Sequence, residues 1–191
     1  MKKIIVLSFV FLSFIAKAQE EVSVEKSLNS VQAGLFSLSY QNEVRLERLV
    51  SLRSEIGLMT GSSNIEYPDG QKVKSFLVVP FVNVEPRWYY SLDRRKKLGK
   101  ITENNSANYF SLFTSFESAG TAIVNTKDLE VAPCIKIVPE YGLRRGFGKK
   151  WFSEYSVGIG YRHNFFKKDY FYSIAENQLY FDLQYKIGYI F

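Results

Sequence analysis

Acidic and basic side chains recur two residues apart along several segments of this chain. The pairs at this spacing are Glu43/Arg45, Arg53/Glu55 and Glu85/Arg87. Carboxylates in such positions could act as general acids or bases. In a β-strand, however, residues i and i+2 share a face, so each acid would lie beside a base. The full set has seven acids and seven bases, and its formal charge is zero: Glu43, Arg45, Arg53, Glu55, Glu85, Arg87, Glu117, Lys136, Glu140, Arg144, Glu154, Arg162, Asp182 and Lys186. This balance predicts structural ion pairs, with each carboxylate matched to a base.

One histidine, His163, is the other candidate for chemistry, with Ser173 and Glu176 in the same predicted loop. A nucleophile, a base and an orienting acid within hydrogen-bond reach could perform acyl transfer. No deacylase or acyltransferase motif surrounds His163, and the chain has no nucleotide-binding loop or zinc-ligand spacing. We therefore expect a protein that is not an enzyme, with no catalytic residues, no metal and no cofactor.

The elements that would position these side chains are long strands. Residues 178–191 place an apolar or aromatic side chain at every second position, ending at Phe191. Period-two alternation predicts a strand with one face against an apolar medium. A tilted strand of about 9–11 residues is long enough to cross a bilayer. The last stretch therefore predicts a transmembrane strand.

The same alternation predicts seven strands along the chain, and the even strand count of outer-membrane barrels adds an eighth. They are 28–35, 38–46, 49–59, 76–90, 109–118, 134–144, 152–162 and 178–191. Loops 60–74, 119–131 and 163–177 then fall at the outer end, and the connections 47–48, 91–108 and 145–150 at the inner end. The strand 28–35 is required because a single-chain outer-membrane barrel has an even number of strands and short inner turns. The predicted fold is all-β, a closed antiparallel up-and-down transmembrane β-barrel.

Two features do not fit that scheme easily. The connection 91–108 is long for an inner turn. Pro80 and Pro86 lie within a predicted strand, and since proline has no N–H, each should cost a ladder bond or mark a bulge.

The polar face of these strands is predicted to point inward. Alternation alone does not say which face is inside. An eight-stranded barrel has room for packed side chains but not for an aqueous channel, so charges inside it need partners. The balanced charges meet that need, and glycines on the same face leave space for them. The sequence therefore predicts a barrel with a filled polar lumen and an apolar, aromatic-rich outer face.

Residues 1–18 have the composition of a secretory signal peptide. Lys2 and Lys3 precede an apolar run over 4–15, and the small residues Ala16 and Ala18 mark a cleavage site before Gln19. The barrel domain is then 19–191. Loss of Lys2, Lys3 and Lys17 lowers the formal charge from +6 to +3, which argues against a nucleic-acid partner. The single cysteine excludes an intramolecular disulfide.

Four stretches carry a resemblance to a known family. They are residues 85–90, Glu-Pro-Arg-Trp-Tyr-Tyr, followed by the basic segment 94–100, and residues 53–57 with the end 187–191. With these the chain resembles a family of small uncharacterised outer-membrane β-barrel proteins of Gram-negative bacteria. The resemblance implies the fold and the location but no activity. By architecture alone the chain is also similar to the OmpX and OmpA-type eight-stranded barrels.

The function that follows is a non-enzymatic integral protein of the cell outer membrane, structural or acting through its outer loops. Its expected partners are outer-membrane lipid and the barrel-assembly machinery, and it is expected to be a monomer. The assembly signal is predicted at Tyr185, Ile187, Tyr189 and Phe191, and loop contacts at Phe165, Phe166, Tyr170, Phe171 and Tyr172. Two alternatives remain: a small pore or transporter for apolar molecules, and a soluble secreted lipid-binding barrel.

Overall fold

The chain folds into a single closed sheet. A computed structural model describes residues 22–66, 72–118, 122–126, 132–166 and 175–191. The strands are β1 (Ser27–Gly34), β2 (Ser37–Glu47), β3 (Val50–Glu66), β4 (Lys72–Trp88), β5 (Asn108–Glu117), β6 (Val124–Asn125), β7 (Cys134–Phe147), β8 (Trp151–Asn164) and β9 (Asn177–Ile190). A short helix α1 (Leu92–Lys97) and a 3-10 turn (Glu103–Asn105) lie between β4 and β5. No helix in these described ranges has the length and apolarity to cross a membrane.

The eight long strands form a ring in which each pairs antiparallel with its chain neighbours. The ring closes where β1 meets β9, from Ser30 opposite Ile190 to Gly34 opposite Lys186. The two-residue β6 pairs with β4 near its outer end. The predicted closed antiparallel barrel of eight strands is confirmed, including the first strand. The predicted signal peptide lies outside the described residues.

The hairpin of β3 and β4 is longer than predicted. Residues 60–66 are strand, paired with β4 up to Glu66 opposite Lys72, although the sequence predicts a loop over 60–74. The stretch from Gly61 to Asn64 has no apolar alternation. Alternation marks a strand only where one of its faces meets an apolar medium, so a strand with two polar faces gives no such signal and the sequence predicts a loop there.

Proline interrupts two ladders without changing their register. Pairing of β4 with β5 stops after Val84 and resumes at Arg87, on either side of Pro86. Pairing of β7 with β8 stops after Ile137 and resumes at Glu140, on either side of Pro139. The lost ladder bonds follow from the missing N–H, and neither site forms a bulge.

Candidate functional site

Side chains alternate between a charged lumen and an apolar outer surface. Twelve of the fourteen predicted lumen charges are buried: Glu43, Arg53, Glu55, Glu85, Arg87, Glu117, Lys136, Glu140, Arg144, Glu154, Asp182 and Lys186. The other two, Arg45 and Arg162, are half-buried. Facing out are exposed apolar side chains such as Ile56, Val82, Phe110, Ile159 and Phe181. The charged face is therefore the inner face.

Glu154 on β8 is the centre of the main ion cluster. Its Oε1 lies 2.6 Å from Arg53 Nη1 and 2.6 Å from Arg87 Nη2, and its Oε2 lies 2.8 Å from Arg144 Nε. The three arginines come from three different strands. All four side chains are at most 4% exposed. One carboxylate therefore joins β3, β4, β7 and β8 through the middle of the barrel.

Three further carboxylates complete this cluster. Glu55 pairs with Arg53 and lies 3.2 Å from Lys186 Nζ, while Glu85 lies 2.9 Å from Arg87. Glu43 lies 2.7 Å from Arg144. We call these eight residues the central ion cluster: Glu43, Arg53, Glu55, Glu85, Arg87, Arg144, Glu154 and Lys186. Its four acids and four bases cancel, which is what burial of charge requires.

The two-residue spacing predicts that Glu43 pairs with Arg45, but it does not. It pairs with Arg144, 101 residues away in the chain. Its Oε1 also accepts hydrogen bonds from Ser51, Tyr89 and Asn105, at 2.6, 2.8 and 3.0 Å. Sharing a face brings two side chains close, but a partner across the narrow lumen can be closer still.

The lumen toward the outer loops holds a second group of charges. Lys136 donates to Glu117 and lies 4.6 Å above the ring of Tyr180. Cys134 Sγ donates to the same Glu117 carboxylate at 3.2 Å. Cys134 is thus a buried thiol that contacts a lumen carboxylate.

Two lumen carboxylates, Glu140 and Asp182, have no basic partner, which corrects the prediction that each acid is matched to a base. Neither forms an ion pair with a lysine or arginine anywhere in the described ranges. Gln184 Nε2 donates to Asp182 and approaches Glu140 Oε1 at 3.5 Å, and the Tyr180 hydroxyl approaches Asp182 at 3.5 Å. Arg45 and Arg162, which balance the sequence count, are half-buried and do not pair with these two carboxylates; Arg162 donates to Asn164 at 2.9 Å.

Two aromatic rings that pack directly against glycines fill the space beside the central ion cluster. A Cβ added to Gly142 would lie 2.2 Å from Tyr109, and one added to Gly188 would lie 2.1 Å from Phe152. The guanidinium of Arg87 stacks 4.2 Å above the Tyr109 ring. Sequence reasoning missed these rings as lumen residues, although both share the parity of the lumen charges.

The connection 91–108, which is long for an inner turn, folds back beneath the barrel. Tyr89, Leu92, Ala107 and Tyr109 form a buried apolar cluster with Val24. We call residues 22–26 and 89–107 the cap. Its length has a structural reason, since it covers the barrel end where the short turns lie.

Asn105 connects the cap to the central ion cluster. It has a left-handed backbone, with φ of 59°, a conformation that asparagine tolerates better than most residues. Its side chain is buried, donates to Glu43 and accepts a hydrogen bond from the backbone N–H of Glu25 at 2.7 Å. One side chain therefore holds both segments of the cap against the lumen.

At the edge of the cap, Arg48 donates to both carboxylate oxygens of Asp93, at 2.7 and 2.9 Å, and to the carbonyl of Val22. These hydrogen bonds hold the pKa of Asp93 below its ordinary value. A lowered pKa stabilises the fold above the ordinary carboxyl pKa, and the stabilisation is lost as pH falls through the lowered value.

We expect acid to loosen the cap slightly. Amide exchange of Val24, whose N–H bonds to Arg48, should lose protection between pH 7 and pH 2. The pair is more than one-third exposed, so the loss should stay below about fivefold, the equivalent of about 1 kcal/mol. In Asp93→Asn the protection should change less between the two pH values, and an equal change in both proteins would contradict the assignment.

The candidate set of His163, Ser173 and Glu176 is not assembled by the described residues. His163 Nδ1 lies 2.7 Å from Asn177 Oδ1, and its ring meets Phe165 edge-on at 4.7 Å. Glu176 is exposed, and no hydrogen bond joins it to His163 in this part of the structure. Ser173 lies outside the described residues, as do Tyr170, Phe171 and Tyr172 of the predicted contact loop.

The predicted assembly residues lie on the outer surface of β9. Ile187, Tyr189 and Phe191 are exposed and Tyr185 is half-buried. Tyr189 packs edge-on against Trp151 at 5.0 Å, and Tyr185 lies 4.6 Å from Tyr155. The predicted cleavage residues Ala16, Ala18 and Gln19 lie outside the described residues.

Comparison with protein-family models, with curated proteins and with solved structures finds no match to this chain. Within the described residues, no group of three or more histidine, cysteine, aspartate or glutamate side chains could hold a metal ion.

Proposed function

We propose that the chain is a non-enzymatic integral protein of the bacterial outer membrane, with a structural role or a role carried by its outer loops. The observation that supports this most is the inverted polarity of the barrel. Leu179, Phe181 and Leu183 on β9 are 82%, 61% and 71% exposed, while the lumen holds the central ion cluster. Monomeric proteins in water rarely expose contiguous apolar patches of such extent. A lipid bilayer is the medium that suits this surface.

An aromatic band near the capped end supports the same placement. Trp88, Tyr90 and Phe110 contact one another with ring separations of 5.2–6.4 Å. Farther round the barrel, Trp151 contacts Tyr189. Bands of Trp and Tyr are typical of membrane–water interfaces. In the proposed orientation, the capped end faces the periplasm and the loops face outward.

The contents of the lumen favour a structural or interactive role over transport. A small pore for apolar molecules would need an apolar, open path, whereas eight paired charges occupy the middle of this barrel and the cap covers one end. A soluble lipid-binding barrel would need its apolar face inside, and here that face is outside. Function is then left to the outer loops, which are the usual site of recognition on a rigid scaffold.

The proposed partners follow from the outer surface. Membrane lipid would contact the apolar face, and the barrel-assembly machinery would recognise β9 through Tyr185, Ile187, Tyr189 and Phe191. The resemblance to small outer-membrane barrels of Gram-negative bacteria agrees with this proposal. We propose a monomer because the ring pairs every barrel strand with two neighbours of its own chain.

Fractionation followed by gel electrophoresis tests the proposal. We expect the protein in the outer-membrane fraction, requiring detergent for extraction, with a mobility in SDS that changes on boiling. A closed ring pairs its backbone groups internally and resists SDS until it is heated.

A variant ending at residue 176 is the matched control, since it lacks β9 and leaves the ring open. It should run at one mobility whether boiled or not. Recovery of the full chain in the soluble fraction, with no change on boiling, would refute membrane insertion.

A further inference from the structure

The ring is closed where β1 meets β9, but toward the Asn177 end of β9 the described strands leave one side of the wall unpaired. The hairpin of β1 and β2 turns back at Leu35 and Phe36, and β1 pairs with β9 only over residues 186–190. On that side, residues 177–185 of β9 have no partner strand among the described residues. These nine residues span about 30 Å along the strand at about 3.3 Å each. Across the short hairpin, residues 61–66 of β3 pair with β4 and with no other strand in the described part of the chain. We call this opening the wall gap.

A cavity of about 280 Å³ lies behind the wall gap. Its mouth is apolar: Leu35 and Phe36 are 75% and 72% exposed, and Leu183 lies on the opposite side. Behind the mouth the lining is mixed: Asn83 and Asp182 are polar, and Phe81 and Phe113 are apolar. The cavity therefore joins an apolar opening in the side of the barrel to an interior that carries polar groups.

One buried hydrogen-bond acceptor inside the cavity has no donor. Asn83 is 4% exposed, and its Oδ1 has no hydrogen-bond partner, while its Nδ2 donates to Glu55 at 3.2 Å. Asp182 lines the cavity and neighbours Glu140, and neither carboxylate has a basic partner. Two ammonium groups, those of Lys136 and Lys186, also line the cavity, and each is already paired with a glutamate: Lys136 with Glu117 and Lys186 with Glu55. A buried acceptor without a donor and carboxylates without a base favour a cationic, hydrogen-bond-donating ligand.

We propose that this cavity binds a single-chain amphiphile with a primary ammonium head group, which enters sideways through the wall gap. The ammonium group donates to Asp182 and to Asn83 Oδ1. The alkyl chain passes between Leu35, Phe36 and Leu183 to the apolar outer surface. Pockets that hold a drug-sized ligand have volumes of about 300–1,000 Å³, and this cavity is slightly smaller. It therefore accommodates the head group and only part of the alkyl chain. Entry from the bilayer rests on the proposed membrane location, whereas binding does not.

The test uses the full barrel, refolded in phosphatidylcholine nanodiscs and observed by amide NMR. Dodecylammonium should shift the amides of Gly34, Asn83 and Asp182 saturably, with an affinity at least tenfold higher than that of dodecyl sulfate. Asp182→Asn, which keeps the shape and removes the charge, should weaken dodecylammonium binding at least tenfold. Glu47→Gln removes an exposed acid at the capped end and should leave the affinity unchanged.

Equal shifts with dodecylammonium and dodecyl sulfate, or unchanged affinity in Asp182→Asn, would overturn the proposal. Affinity would be unchanged in Asp182→Asn if Glu140 and Asp182 shared a proton. The boiled and unboiled gel reports whether each protein is folded, so a failed barrel is distinguishable from a failed binding site. If Asp182→Asn does not fold, the comparison of the two amphiphiles on the natural chain decides alone.

Discussion

Replacing Glu154 by alanine is expected to lower the free energy of unfolding by about 3–5 kcal/mol, because it leaves three buried arginines without their shared carboxylate. Arg53, Arg87 and Arg144 each lie within 2.8 Å of Glu154. Three acids, Glu43, Glu55 and Glu85, would then remain against four bases, the three arginines and Lys186. The central ion cluster would carry one uncompensated positive charge. Glu154→Gln should also destabilise the barrel, since it removes the charge while nearly preserving the shape.

Equilibrium urea unfolding in lipid vesicles, followed by the fluorescence of Trp88 and Trp151, measures this change. Glu47→Ala is the matched control, because Glu47 is exposed at the end of β2 and its loss should change stability by less than about 0.5 kcal/mol. A loss below about 1 kcal/mol for Glu154→Ala would show that the central ion cluster does not depend on its central carboxylate.

Replacing Gly188 by alanine is the second large effect we expect, with a loss of about 1–3 kcal/mol from overpacking. The added methyl group would lie 2.1 Å from the Phe152 ring. That ring is fully buried, and the guanidinium of Arg144 stacks 4.6 Å above it. The ring therefore cannot move without disturbing the central ion cluster.

A double-mutant cycle identifies the cause. Combined with Phe152→Leu, which makes room, Gly188→Ala should cost at least about 0.5 kcal/mol less than it does alone. Gly61→Ala is the control, since a Cβ at Gly61 would meet no atom within 4 Å. Additive costs in the cycle would contradict the steric explanation.

The fold could be predicted because alternation reports the face on which each residue lies. From Phe152 to Arg162 and from Gln178 to Phe191 the apolar positions recur every second residue, and an even strand count supplied the first strand. Where both faces are polar, as in residues 61–64, the signal vanished and a strand was taken for a loop. The cap was missed for a different reason: α1 and the 3-10 turn are too short to show a helical period.

The candidate site was predictable in composition but not in contacts. A narrow barrel has no room for an aqueous channel, so charges on the polar face need partners, and residue types alone indicated a lumen filled with acids and bases. Which acid meets which base depends on the height of each residue in the barrel, and strand stagger sets that height. Glu43 with Arg144, and Arg53 with Glu154, are each 101 residues apart. Alternation carries no information about stagger, so the unmatched Glu140 and Asp182, the rings on Gly142 and Gly188, and the wall gap emerged only once the strands were closed into a ring.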